Sequence, residues 1–258
     1  MVDKNYLHTA YANSADGTDG FTTVYPNLNL LEGSKDFSGD WINSWAWQND
    51  GTYKGLTVKK RTGQWQGLYK TFTAPKDGVY TFSAYIKASG TTTIINRHMI
   101  VNGVGKTDLA IGSDFDWRID TVTVSLKAGQ TALFRHEIAT NNSDAILWTA
   151  GHKWEEGSTA TPYMPSSSEV TTADWPKFVG TYVDTNQTSS TEPSKYDWDE
   201  MKYRVYLDGT PVGGSKLLSF DLENLKAGTS YNVQVSQING NVESDKSESV
   251  AFKTTLTK

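Results

Sequence analysis

Apolar and polar residues alternate with a period of two through much of the chain, the spacing of strands that bury one face. Gly55–Arg61 sets Leu56 and Val58 against Thr57 and Lys59, and Trp65–Thr73 continues the alternation. Ala74-Pro75-Lys76-Asp77-Gly78 is turn chemistry, after which Val79–Lys87 (VYTFSAYIK) places Tyr80, Phe82, Ala84 and Ile86 on one face. Thr81, Ser83, Tyr85 and Lys87 fall on the other. Thr93–Asn102, Asp120–Leu126, Thr131–Ile138 and Ala145–Trp154 follow, with Lys127-Ala128-Gly129-Gln130 as a tight connection. About eight strands at this spacing predict an all-β fold, an antiparallel sandwich of jelly-roll type over residues 27–165. No helix-period run of useful length occurs; the best helical candidate is Pro193–Met201.

Outside that block the pattern changes. Residues 1–26 read as a lead-in arm, because Ala12–Gly20 (ANSADGTDG) is turn composition. Residues 166–201 read as a linker and connecting module, small and polar at Ser166–Thr172 and Ser/Thr-rich before Pro193–Trp198. Residues 202–258 form a smaller β module with short strands at Tyr203–Leu207, Leu217–Leu222, Tyr231–Ile238 and Ser249–Thr254.

Composition narrows the function. Hydrophobic residues make up 37% and charged residues 21% of 258, enough for a packed core. A net charge of -5, with no basic cluster larger than Lys59-Lys60-Arg61, argues against nucleic-acid binding. The absence of cysteine removes disulfides and thiolate metal sites. No apolar run reaches the ~20 residues of a membrane helix, and the N-terminus lacks a basic-then-apolar leader, so no membrane insertion is expected. Nine Trp and 13 Tyr beside 22 Gly reinforce the β reading.

Two signatures stand out: Ala150–Pro165 (AGHKWEEGSTATPYMP) and Gly180–Trp198 (GTYVDTNQTSSTEPSKYDW). Together with APKDG followed by VYTFSAYIK, they resemble segments of tail and baseplate proteins of siphophages that infect Gram-positive bacteria, of the lactococcal and streptococcal type. The resemblance spans about residues 27–165 with the connecting module behind it. It implies a sandwich like a carbohydrate-binding module, a virion location in tail or baseplate, and contacts with other baseplate subunits. It also implies adhesion to host cell-wall polysaccharide, and such a protein needs no leader because lysis releases the particles. The chain starts in mid-module, as a domain insertion or an excised fragment would. Leu225–Tyr231 (LKAGTSY) resembles the fibronectin type III corner, where a Tyr hydroxyl bonds back to the backbone. Only 57 residues (202 to 258) are present where the sandwich needs roughly 100. The first two strands come from Pro176–Val183, from another chain, or are missing.

Sugar recognition needs flat aromatic faces for the C–H side of a pyranose and fixed donors and acceptors for its hydroxyls. Trp41–Asp50 supplies both, and in an extended segment Trp45 and Trp47 share a face. Tyr53 and Trp65 lie near in sequence, Trp65 between Gln64 and Gln66. Tyr85 on the outward strand face, with Asn96 and His98, lines a possible groove. The candidate carbohydrate-binding residues are therefore Trp45, Trp47, Tyr53, Trp65, Tyr85, Asn96 and His98. Core packing is the rival role for each Trp, and Trp148 and Trp154 are assigned to packing. Arg97 shares a face with Ile95 and Met99 and needs a carboxylate; Asp116 and Glu137 are the candidates.

No catalytic residue is identified. Glu155 and Glu156 are adjacent and on a strand point to opposite faces, unlike a glycosidase pair about 5–9.5 Å apart across a cleft. There is no nucleophile elbow, HExxH or phosphate loop, and His8, His98, His136 and His152 show no ligand spacing. Cofactors are assigned as none; a structural calcium at Asn29, Glu32 or Asp144 has too weak a pattern to assign. The expected function is non-catalytic adhesion to cell-surface polysaccharide. The rivals are a spacer of the baseplate, a module of a wall hydrolase and a glycan-active enzyme.

Overall fold

The computed structural model describes residues 4–91, 94–139 and 144–255. The expected strand at Thr93–Asn102 begins on a residue outside that range. Strand β1 is Tyr6–Ala12. Next come β2 (Gln48–Tyr53), β3 (Leu56–Arg61), β4 (Phe72–Thr73), β5 (Gly78–Ser89), β6 (Ile95–Val101), β7 (Val104–Gly105), β8 (Leu109–Ala110), β9 (Phe115–Leu126), β10 (Thr131–Ile138) and β11 (Ile146–Glu156). The last are β12 (Phe178–Asp184), β13 (Asp197–Glu200), β14 (Tyr203–Leu207), β15 (Thr210–Ser215), β16 (Ser230–Asn239), β17 (Val242–Glu243) and β18 (Val250–Lys253). The protein is all-β; among the described residues the only helical elements are three-residue 3-10 turns. The helical candidate resolves into one such turn at Pro193–Lys195 followed by β13. The chain forms two compact units, residues 27–170 and a discontinuous unit of residues 1–26 and 171–258, so the former is inserted into the latter.

The inserted unit is a two-sheet sandwich. One sheet runs β2-β3-β11-β5-β9, the other β4-β10-β6-β7 with β8 on β6. The even positions of VYTFSAYIK face inward: Tyr80, Phe82, Ala84 and Ile86 are buried against Ile95, Phe134 and Ile138 of the opposite sheet. Phe82 meets Phe134 at 4.3 Å between centroids, and Trp154 stacks on Phe72 at 4.9 Å. Each such side chain contributes about 1.5–3 kcal/mol of burial.

The register of β11 on β5 shifts between Ala150 and Lys153. Gly151 sits there at φ 59°, and a Cβ would lie 2.6 Å from Leu56 Cδ1 and 3.2 Å from Tyr163 Cδ2, so backbone conformation and crowding both favour glycine. The bulge inverts the facing of β11. Leu147 and Thr149 point inward before it, and Trp154 does so after it. Lys153 and Glu155 thereby emerge on the outer face, yet both are buried. Lys153 Nζ donates to Thr161 Oγ1 (2.7 Å) and the Pro162 carbonyl (2.9 Å), and pairs with Glu155 at 3.2 Å. Glu155 accepts from Thr161 N–H (2.9 Å) and Asn27 Nδ2 (3.2 Å). Burial pushes the Lys153 ammonium down to about 8, against the pull of Glu155. The KWEEGSTATPYMP signature is thus a structural clasp, and exposed Glu156 pairs instead with Lys76 at 3.0 Å.

Arg97 pairs with Asp120, neither of the two expected carboxylates. Asp120 reaches it because β9 lies across β5 with Asp120 opposite the inward residue Ala84. His136 Nε2 also meets Asp120, at 2.7 Å. Burial opposes ionisation of Asp120, but the His136 and Arg97 hydrogen bonds prevail and hold its carboxyl at about 2.

In the discontinuous unit, the segment expected as a loose arm supplies β1, which pairs along Tyr6–Ala12 with β12. The reason is long-range: the partner is some 170 residues away, while the turn chemistry that suggested an arm occupies only the following Asn13–Gly20. Of Pro176–Val183, one candidate for the missing fibronectin-like strands, residues 178–183 lie in β12, in the β1-β12-β13 sheet. The other sheet runs β15-β14-β16-β17 with β18 on β16. Lys226 N–H donates to Tyr231 Oη at 2.9 Å, the backward bond that LKAGTSY suggested. Buried Arg204 donates to Tyr25 Oη (3.0 Å), pairs with Glu243 and lies over Trp175 at 5.1 Å.

Candidate functional site

The stretch Asn43–Trp47 makes one 3-10 turn, Ser44–Ala46, entered through Asn43 at φ 64°. That turn separates the two tryptophans expected on one face. Trp45 is 76% exposed, whereas Trp47 is 5% exposed and belongs to the core, its Nε1 donating to the Gln66 carbonyl at 2.9 Å. Trp47 is therefore a core residue, not a ligand contact.

A second loop runs beside the first. Trp65 is 43% exposed and sits at φ 54°, followed by Gln66 at φ 55°. Two consecutive non-glycine residues in the left-handed region cost of order 1–3 kcal/mol each. They are held by Arg61, which donates to the carbonyls of Ala46, Gln64 and Trp65 at 2.8 Å each and to Gln66 Oε1 at 2.9 Å. One guanidinium thus joins the Trp45 loop to the Trp65 loop. Trp65 N–H also bonds the Ile138 carbonyl, and Asn43 Nδ2 bonds that of Gly67. The result is a pre-set edge presenting two indoles beside the amide side chains of Gln64 and Gln66.

Tyr53 and Tyr85 are brought together elsewhere, on the outer face of the β2-β3-β11-β5-β9 sheet. Their rings meet edge-to-face at 5.3 Å, and Tyr53 stacks on Trp117 at 4.2 Å and 11°. Trp148, expected in packing, is half-buried on this same face, its Nε1 donating to Asp50 at 2.6 Å. Leu56, Val58 and Ala150 are buried beneath these rings. Sequence reasoning missed Trp117, although in DWRID it carries the parity of Ile119, which pairs with Tyr85.

Asn96 and His98 lie on the other sheet, so they share no groove with Tyr85. Their strand pairs with β10, not with β5. His98 Nδ1 contacts Asp108 at 2.7 Å, and Arg135 donates to Glu137 at 2.8 Å. The ligand atoms of His98, Asp108 and Glu137 lie within 4.8 Å of one another, but each residue is already held in one of these two pairs. Of the residues weighed for calcium, Asn29 is bonded to Ser34, His152 and Trp154, Glu32 to Ser168, and Asp144 to Thr91.

The inserted unit is thus a two-sheet β-sandwich that displays indoles at a loop edge. The chain is 48% identical to a chain of the tripod (BppUct-A-L) from the baseplate of bacteriophage Tuc2009, covering 100% of both chains with a TM-score of 0.71. It therefore belongs to the family of phage baseplate proteins and is located in the tail baseplate of the virion. The BppU-like family described as Minor structural protein 5-like, C-terminal domain, matches residues 176–234. More distant is a family 35 carbohydrate-binding module from Clostridium thermocellum, at 17% identity over 43% of this chain and 89% of that one (TM-score 0.33). A carbohydrate-binding module of Cellvibrio mixtus lichenase 5A in complex with cellotriose matches at 10% identity over 52% and 96% (TM-score 0.31). No curated protein matches the chain.

Proposed function

We propose that the inserted sandwich is a non-catalytic adhesion module that holds host cell-surface polysaccharide at the Trp45–Trp65 edge. The observation that carries this reading is the pair of open indoles on two loops locked by one guanidinium. Exposing two tryptophans and straining the backbone beneath one of them stabilises nothing in the fold, whereas stacking on a pyranose uses both. Single contacts of this kind are weak, and several copies on one baseplate raise avidity through effective concentration.

The test is binding of fluorescently labelled protein to intact Gram-positive host cells. Trp45→Ala and Trp65→Ala each weaken binding about fivefold, equivalent to roughly 1 kcal/mol of lost stacking, without a change in melting temperature for Trp45→Ala. Unchanged binding in both variants overturns the site. Failure of the wild type to bind any host leaves the spacer role.

For the discontinuous unit we propose docking to other baseplate subunits. It contains the matched 176–234 segment and displays Leu217, Val242, Val250 and above all Leu218, which is 92% exposed.

A further inference from the structure

The outer face of the β2-β3-β11-β5-β9 sheet carries a feature the Trp45–Trp65 edge does not: cations set over aromatic rings. Lys54 stands at the tip of the β2–β3 turn, at φ 50°, with its ammonium 6.0 Å from the Tyr85 centroid. Lys60 and Lys87 each approach Trp148, at 5.8 Å. The acids among them are Asp50, 3.7 Å from Lys60, and Asp116, 3.1 Å from Lys87. Both acids are solvent-exposed, and no carboxylate lies within ion-pair distance of Lys54 among the described residues. Three ammonium groups against two carboxylates leave this face locally positive on a chain whose net charge is -5.

We infer that this face is a second glycan-binding surface, selective for a polysaccharide bearing anionic substituents. Tyr53, Trp117, Tyr85 and Trp148 supply a floor of π faces and ring edges on which pyranose rings lie, resting on buried Leu56, Val58 and Ala150. Phosphodiester or carboxylate groups on the polymer take Lys54 directly and exchange with Asp50 and Asp116 for Lys60 and Lys87. Lys54 and both acids are exposed and Lys60 and Lys87 half-buried, so each contact is weak and salt-screened, and they select the ligand more than they hold it. This inference uses no residue of the Trp45–Trp65 edge and stands or falls apart from it.

The test titrates the full chain with three purified polymers at low salt, by affinity electrophoresis and tryptophan fluorescence. The polymers are a phosphodiester-bearing wall polysaccharide, a uronate-bearing polysaccharide and a neutral glucan. A Trp45→Ala/Trp65→Ala background silences the other edge. Both anionic polymers are expected to bind and the glucan to bind more weakly. The triple variant Lys54→Gln/Lys60→Gln/Lys87→Gln, which keeps polar side chains and leaves the core untouched, is expected to bind the anionic polymers roughly eightfold more weakly, a factor of about two per contact. Preference for one anionic polymer assigns the phosphate or the carboxylate as the group read. Inorganic phosphate competing as well as the polymer, per anion, would reduce the face to a nonspecific anion patch. Equal binding of the glucan, no loss in the triple variant, or no binding at all overturns the inference.

Discussion

His152 sets a sharp acid limit on the sandwich. Its ring is buried among Phe37, Trp41 and Phe82, with Nε2 against Thr149 Oγ1 at 2.9 Å and Nδ1 without a partner among the described residues. Burial first, and the nearby His136 second, pull its pKa from 6.5 to about 3. The folded-state value lies below the unfolded one, so the unfolded chain binds the proton first. The contribution is therefore complete above pH 6.5 and is lost as pH falls from there towards 3. At about pH 4.5, some two units below the unfolded value and still above the folded one, the loss is about 2.7 kcal/mol. Urea unfolding of the wild type and of His152→Leu, followed by tryptophan fluorescence and extrapolated to water at about pH 7 and pH 4.5, isolates this group. Leucine keeps the site filled and cannot titrate, and every other acid-sensitive group is common to both proteins. The wild type should lose about 2–3 kcal/mol more than the variant over that interval. Equal losses would refute the claim that His152 is held neutral by burial.

The Lys153–Glu155 clasp gives a second test: Lys153→Met strands the buried Glu155 carboxylate and costs about 3–5 kcal/mol, while Lys153→Met/Glu155→Leu recovers most of that in a thermal-melt cycle. Because the Lys153 pKa is lowered from 10.5 to about 8, wild-type stability should also rise between those pH values, a rise absent from Lys153→Met. In the discontinuous unit, Gly180→Ala places a Cβ 2.8 Å from both the Trp198 ring and Tyr196 Cβ. Overpacking there should cost about 1–3 kcal/mol in denaturant unfolding.

What the chain discloses about itself follows from how local each cause is. The inward face of VYTFSAYIK is legible because a period-two apolar pattern is written in nine consecutive residues, and Tyr80, Phe82, Ala84 and Ile86 land in the core as read, although Thr81 and Ser83 on the other face are buried too. The facing of Lys153 and Glu155 is not legible. It depends on the bulge at Gly151, where part of the crowding that favours glycine comes from Leu56, almost a hundred residues earlier. The same distance problem hides β1, whose role depends on β12.

At the candidate sites, residue type was readable and geometry was not. Trp45 and Trp47 look equivalent in sequence, yet Asn43 entering the left-handed region starts a turn that sends one indole to solvent and the other to the core. Tyr53 finds Trp117 only because β2, β3, β11, β5 and β9 lie side by side in one sheet, an order that no window along the chain contains. An aromatic count therefore shows that this sandwich has rings to display, and strand pairing decides where. Here pairing yields two separate aromatic surfaces, the loop edge held by Arg61 and the lysine-bearing sheet face, and it puts Asn96 and His98, expected in one groove with Tyr85, on the opposite sheet.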